Sequence, residues 1–165
     1  MQIELSHLES PVGPLALAIE GGKLRDLSFS TEEVLHERLV RAHPEAEIAH
    51  GSGGTPMKRL RAYFAGDLHA FEDIPVSLAG TPFQRRVWAE LRKIPVGRTI
   101  SYRDLATAIG QPAAVRAVGA ANGRNPVALV VPCHRVIAAD GKLQGYGGGL
   151  ERKAWLLRHE RALLS

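Results

Sequence analysis

The chain has 165 residues, 45% of them hydrophobic, with 21 Lys and Arg against 17 Asp and Glu. That length allows one domain or two small ones, and no run approaches the ~18 consecutive apolar residues of a membrane helix, so a soluble protein with no membrane partner is expected. The single cysteine excludes an internal disulfide and any multi-cysteine zinc cage, and the seven histidines fall without HExxH or comparable spacing.

The chain begins "MQIELSHLES", with no basic segment leading into a long apolar one. No secretory signal is read there, and a reducing cytoplasm is the expected location. "MQIELSHL" and "PLALAIEGGKLRDLSFS" carry short alternating or apolar runs broken by Pro-Val-Gly-Pro and Gly-Gly, the punctuation of antiparallel strands. Ser30 with Glu33 predicts a capping box for a helix through "EEVLHERLVRA". After the polar "HGSGGTP", Thr55-Pro56 opens a second helix with Leu60, Tyr63 and Phe64 on one face. "DLHAFEDIPVSLAG" reads as a connector with some extended structure, and the carboxylates of this half read as solvated surface.

Charge changes sign along the chain. Residues 1–80 hold 7 basic against 12 acidic side chains, and residues 81–165 hold 14 against 5. A basic second half points to nucleic acid or another acidic surface as its partner.

From Thr81 the local signals sharpen. Thr81, Pro82 and Gln84 fit N-cap, N1 and N3 of a helix that lines up Phe83, Val87, Leu91 and Ile94. Ser101 with Asp104 caps the next helix, "YRDLATAIG", which stops at Gly110. After a tight break at Gln111-Pro112, "AAVRAVGAANG" is a third helix. Two short helices across such a break fit a helix-turn-helix, although many helical domains contain such a pair. The third helix is nearly all Ala, Gly and Val, and Arg116 is its only charge. Small residues let a helix pack closely inside a protein. They also let one projecting arginine enter a groove as narrow as the ~6 Å minor groove of DNA.

"NPVALVVPCHRVI" then runs from an Asn-Pro turn through five apolar residues to Pro132 and Cys133. The run predicts burial, which delivers the thiol to a fixed place. An isolated cysteine is often only a small buried residue. Here His134 and Arg135 follow directly and could lower the thiol pKa. A histidine base needs an orienting partner, and Glu160 on the last helix, "LERKAWLLRHERALL", can supply it. Neighbouring side chains generally diverge, so His134 need not touch the sulfur directly and could act through a water. A thiol hydrolase and an enzyme that takes a group from a nucleic-acid base both fit these residues.

Five segments in order, "GTPFQRRVW", "ISYRDLA", "VRAVGAANGRNP", "VVPCHRVI" and "GYGGGLERKAWLLRHE", resemble the methylated-DNA–protein-cysteine methyltransferases, also called O6-alkylguanine-DNA alkyltransferases. The resemblance covers nearly all of residues 80–160 and is looser over 1–79, where "SPVGPLALA" carries it. It implies an α+β chain: an N-terminal ribonuclease-H-like sheet-plus-helix domain over 1–79, and a mostly helical domain with a helix-turn-helix over 80–165. It implies single-turnover repair, in which Cys133 accepts the alkyl group of a flipped O6-alkylguanine in duplex DNA, with O4-alkylthymine a second candidate substrate. His134 would be the base, steadied by Glu160. Asn125 would sit in the hinge before the reactive strand and orient the thiol. Tyr102 would turn a phosphate and donate a proton toward the leaving guanine. Arg116 would fill the gap left in the base stack, Arg103 and Gln111 would touch the DNA backbone, and Tyr146 and Gly147 would line the base pocket. A monomer working from the minor groove is expected, with cooperative binding along DNA left open. The cysteines that hold zinc in some relatives are missing, so no metal is expected, and no cofactor. A relative lacking the reactive cysteine only binds lesions, and Cys133 argues against that assignment.

Overall fold

The two breaks predicted between the first strands are chain reversals. In the computed structural model, which describes residues 1–143 and 145–163, β1 (Gln2–Ser10), β2 (Gly13–Glu20) and β3 (Lys23–Ser28) form an antiparallel meander. The Ser10 hydroxyl closes the first turn, donating to the Gly13 carbonyl at 2.7 Å and accepting from Val12 N–H at 3.2 Å. Gly21 and Gly22, with φ of 59° and 77°, make the second turn in the left-handed conformation that two-residue hairpin loops favour. Helix α1 (Glu32–Ala42) then crosses over, and β4 (Glu47–His50) pairs parallel to β1, giving the order β3-β2-β1-β4. Ile3 and Leu5 of β1, Ala16 and Ala18 of β2, and Leu35 and Leu39 of α1 form one buried cluster, with Ala46 and Ile48 at its margin.

The cap of α1 lies one residue beyond the expectation. Thr31, not Ser30, accepts from Val34 N–H, while the Ser30 hydroxyl bonds that of Ser28. Two adjacent hydroxyl residues both precede the glutamates, and tertiary position decides between them. Helix α2 (Gly54–Phe64) buries Leu60 and Tyr63, and Tyr63 stacks on Phe71 with ring centroids 4.4 Å apart. Its cap is Gly53 in the left-handed region, one turn edge before Thr55-Pro56. The connector supplies one parallel bridge, Val76 to Leu24.

Two compact units result, Met1–Leu78 and Ala79–Ser165. In the second, α3 (Pro82–Leu91) and α4 (Tyr102–Ala108) start on complete capping boxes, Thr81 with Gln84 and Ser101 with Asp104, as the sequence predicts. Gly110, with φ of 77°, closes α4. Helix α5 (Val115–Gly123) follows, and the Trp88 indole of α3 donates to the Ala121 carbonyl at 2.8 Å, fixing α5 to α3. The short strands β5 (Ile100–Ser101) and β6 (Val136–Ile137) pair in parallel, and α6 (Leu150–His159) ends the fold. Glu160 caps α6 at its C-terminus instead of lying within it. Among the described residues, no helix is long and apolar enough to cross a membrane.

Candidate active site

The apolar run before Cys133 is buried as expected, but it is a chain of tight turns and not a strand. Val130 N–H bonds Ala128 C=O at 2.8 Å and Val131 N–H bonds Val127 C=O at 3.0 Å, so the bonds a ladder would use are spent locally. Leu129 takes φ of 70° to close the reversal. Asn125 clamps it: its amide N–H donates to Val131 C=O at 2.7 Å, and its side-chain oxygen accepts from Val127 N–H at 3.0 Å. Asn122 of α5 adds a bond to the Cys133 carbonyl at 3.4 Å. Cys133, His134 and Arg135 then form one turn of 3₁₀ helix, all three buried.

That tight turn sends neighbouring side chains apart and gives His134 and Arg135 a common partner. Glu160, also buried, accepts from His134 Nε2 at 2.8 Å and from Arg135 Nε and a terminal guanidinium nitrogen at 2.8 and 3.1 Å. The other terminal nitrogen of Arg135 bonds the Ile94 carbonyl at 2.8 Å. Burial alone would raise the Glu160 pKa, yet His134 and Arg135 hold this carboxyl well below the usual glutamate range. It is therefore ionised, and it sets the His134 tautomer with the proton on Nε2. Nδ1 is left as the basic nitrogen, buried and with no hydrogen-bond partner among the described residues. Burial lowers the His134 pKa, so the ring is neutral and able to take a proton.

The expectation that His134 and Arg135 lower the thiol pKa is overturned. Burial pushes the Cys133 pKa up, and the Arg135 charge is committed to Glu160. Opposing that burial are the Asn125 amide, the nearby Lys153 ammonium and the backbone N–H groups of Cys133 and His134, all of which favour thiolate. The resting group is a protonated thiol in surroundings already arranged for its anion. Lys153 is the site residue that linear reading passes over. It is fully buried on α6, its pKa falls to about 8 through burial, and its ammonium lies 5.9 Å from the centroid of the Tyr102 ring. The signal was present: Lys153, Leu156, Leu157 and Glu160 follow the i, i+3, i+4, i+7 spacing of one buried stripe.

Of the remaining expected residues, four meet at one cavity. Tyr102, Arg116, Tyr146 and Gly147 line a hollow of about 590 Å³ together with Val115, Gly119, Gly123 and Gly145. The Tyr102 hydroxyl donates to Gly145 C=O at 3.4 Å, and burial followed by the neighbouring Cys133 raises its pKa, so it stays protonated. Arg103 and Gln111 are exposed, the first on α4 and the second in the break before α5, and neither lines this cavity. A buried thiol, a histidine with one basic nitrogen, and a phenol that neighbours the thiol and lines a small-walled hollow with one arginine are the groups that nucleophilic displacement on an inserted flat group requires.

Comparison with known proteins gives concordant matches. Residues 82–162 match the family model described as the DNA-binding domain of 6-O-methylguanine DNA methyltransferase. A methylated-DNA–protein-cysteine methyltransferase of Shigella flexneri is 44% identical over 162 residues, covering 95% of each chain. One from Mycobacterium bovis is 47% identical over 160 residues, covering 97% of this chain and 93% of its own. Among solved structures, Mycobacterium tuberculosis OGT in complex with DNA superposes with a TM-score of 0.83 at 46% identity, covering 98% of this chain and 94% of that one.

Proposed function

The chain belongs to the methylated-DNA–protein-cysteine methyltransferases and acts in DNA alkyl repair; from that premise we propose that Cys133 takes the alkyl group of O6-alkylguanine once and irreversibly. The observation that carries the proposal is the buried His134–Glu160 pair, bonded at 2.8 Å, which leaves His134 Nδ1 basic and without a hydrogen-bond partner among the described residues, one residue along the chain from a thiol that burial keeps protonated.

In this mechanism the thiol proton passes to His134 Nδ1 through a water. The sulfur attacks the alkyl carbon in line, the S–C bond forms as C–O6 breaks, and the bonding pair stays with the guanine. Tyr102, kept protonated, donates toward the departing base. Lys153, Asn125 and the local N–H groups stabilise the sulfur anion while the proton is away. The product is a thioether at a saturated carbon with no good leaving group, so one molecule repairs one lesion.

O6 of guanine faces the major groove at the pairing edge, where a buried thiol has no in-line approach. The nucleotide must leave the stack, at a cost of a few kcal/mol that is smallest where pairing is already spoiled. O6-alkylation spoils it, since N1 loses its proton, so the lesion lowers the cost of its own extrusion. We read α4 and α5 as a helix-turn-helix whose small-residue second helix lies in the minor groove. Arg116 then fills the gap, Arg103 and Gln111 hold phosphates, and Tyr146 and Gly147 receive the base. The meander with a parallel fourth strand beyond a crossover helix supports a ribonuclease-H-like N-terminal domain over residues 1–79, with residues 80–165 as the DNA-binding and acceptor domain. We expect a monomer working in the cytoplasm.

Intact-mass measurement after incubation with O6-methylguanine duplex tests the reading. It requires one added methyl, on Cys133, at most one per chain, with guanine restored. Tight binding without mass gain would make the chain a lesion-binding module, and continued turnover of an ester or amide would make it a hydrolase.

A further inference from the structure

The two faces of the first sheet supply a cluster that the transfer chemistry does not use. Ile3 and Leu5 point to the face that α1 covers, and alternation puts His7 on that same face. Ile48 packs at the margin of the same core, and His50 is two residues further along β4. Register sets His50 beside Leu5 of β1, and the first turn of α1 brings Glu32 over both. Three elements thus deliver two imidazoles and a carboxylate to one point where the core gives way to solvent.

The donor atoms are already gathered. His7 Nδ1 lies 3.0 Å from one Glu32 oxygen, and His50 Nδ1 lies 2.9 Å from each of the two. All the ligand atoms fall within 4.8 Å of one another. The rings do not stack, being tilted by 44° with centroids 6.1 Å apart, so both can turn the same nitrogen inward. An ion with bonds of ~2.0–2.2 Å in tetrahedral array holds its ligands about 3.3–3.6 Å apart, so closing the site needs side-chain shifts of roughly 1 Å. Glu32 keeps only 24% of its side chain exposed, which limits the freedom lost on binding.

We propose that His7, Glu32 and His50 bind one divalent transition ion of the zinc type, with water completing its shell. Two imidazoles select this class over magnesium or calcium, which favour all-oxygen ligands. The ion would tie β1, the start of α1 and the end of β4 together. All three ligands belong to the first unit, and none has a part in alkyl transfer. The proposal revises the expectation of a metal-free chain, which rested on the missing cysteines and on linear spacing: His7 and His50 stand 25 and 18 positions from Glu32, and the three meet through the parallel β1–β4 pairing and the start of α1.

The test is calorimetric titration of the chelator-treated full-length protein with zinc chloride, repeated with cobalt(II) as a spectroscopic probe. One saturable ion per chain is expected, with a rise in melting temperature. His7→Ala and His50→Ala should each weaken it by more than about tenfold, as loss of even an outer-shell partner can. Glu32→Gln, which keeps the size of the side chain, should weaken it likewise and decides the matter where a histidine variant fails to fold. The His7→Ala and His50→Ala proteins should still transfer a methyl group at the original rate. Cobalt should give a spectrum of nitrogen and oxygen ligands. Absence of saturable binding, unchanged affinity in the variants, or a thiolate charge-transfer band would each overturn the assignment.

Discussion

Glu160→Gln isolates a buried ionic interaction of the second unit. Glutamine keeps the volume but replaces an ionised acceptor pair with one oxygen and one donor group, and that donor must face His134 or Arg135. Three charge-assisted hydrogen bonds of 2.8 to 3.1 Å are lost or weakened, and the Arg135 guanidinium, 6% exposed, is left without its counter-charge. Removing one partner of such a buried pair costs about 3–5 kcal/mol. For a domain of this size each kcal/mol is worth ~4–8 °C, so the melting temperature should fall on the order of 20 °C. Both tryptophans, Trp88 and Trp155, lie in the second unit, so fluorescence melts report that unit alone. A drop under about 4 °C would mean the pair contributes less than ~1 kcal/mol and would refute the reasoning. Acidity gives an independent check. The folded pKa of Glu160 is depressed below its ordinary 4.5, so its contribution is complete above that pH and is lost progressively as pH falls beneath it. The Gln variant should show a flatter acid limb.

Cys133→Ala should abolish transfer while leaving affinity for lesion DNA intact in a gel-shift assay. Arg116→Ala should slow repair of duplex lesions far more than reaction with free O6-methylguanine, and equal losses would remove its assignment to the base stack. Lys153→Met should slow single-turnover transfer by up to about tenfold for each pKa unit by which the thiol rises, since the thiolate fraction falls tenfold while its nucleophilicity partly compensates. Because folding lowers the Lys153 pKa from 10.5 to about 8, stability should climb between those pH values in the wild type, and the Met variant should lose that climb.

The parts of the fold legible in the sequence are those decided within a few residues. Thr81 with Gln84 and Ser101 with Asp104 are reciprocal caps whose bonds span three positions, so the local string suffices. Cys133, His134 and Glu160 were legible because unusual neighbours and the family resemblance singled them out. What failed needed distance. Arg135 reads as a cation beside the thiol, but the 3₁₀ turn aims it at Glu160, 25 residues away. Lys153 reads as a solvated lysine until α6 packs its stripe inward, and no pattern within Ser30-Thr31 says which hydroxyl will cap. His7 and His50 share no motif and are brought together only by the pairing of their strands.

Cys133 is buried, with 7% of its surface exposed, and its carbonyl and amide are both engaged. Under the proposed irreversible transfer, a carbon added to that sulfur stays in a largely enclosed space, and overfilling a close-packed interior costs about 1–3 kcal/mol. A spent molecule should therefore be a looser one, melting lower and yielding faster to proteases than a fresh copy. The protein would carry the record of its own use as mechanical strain, a label that quality control can read without any dedicated sensor.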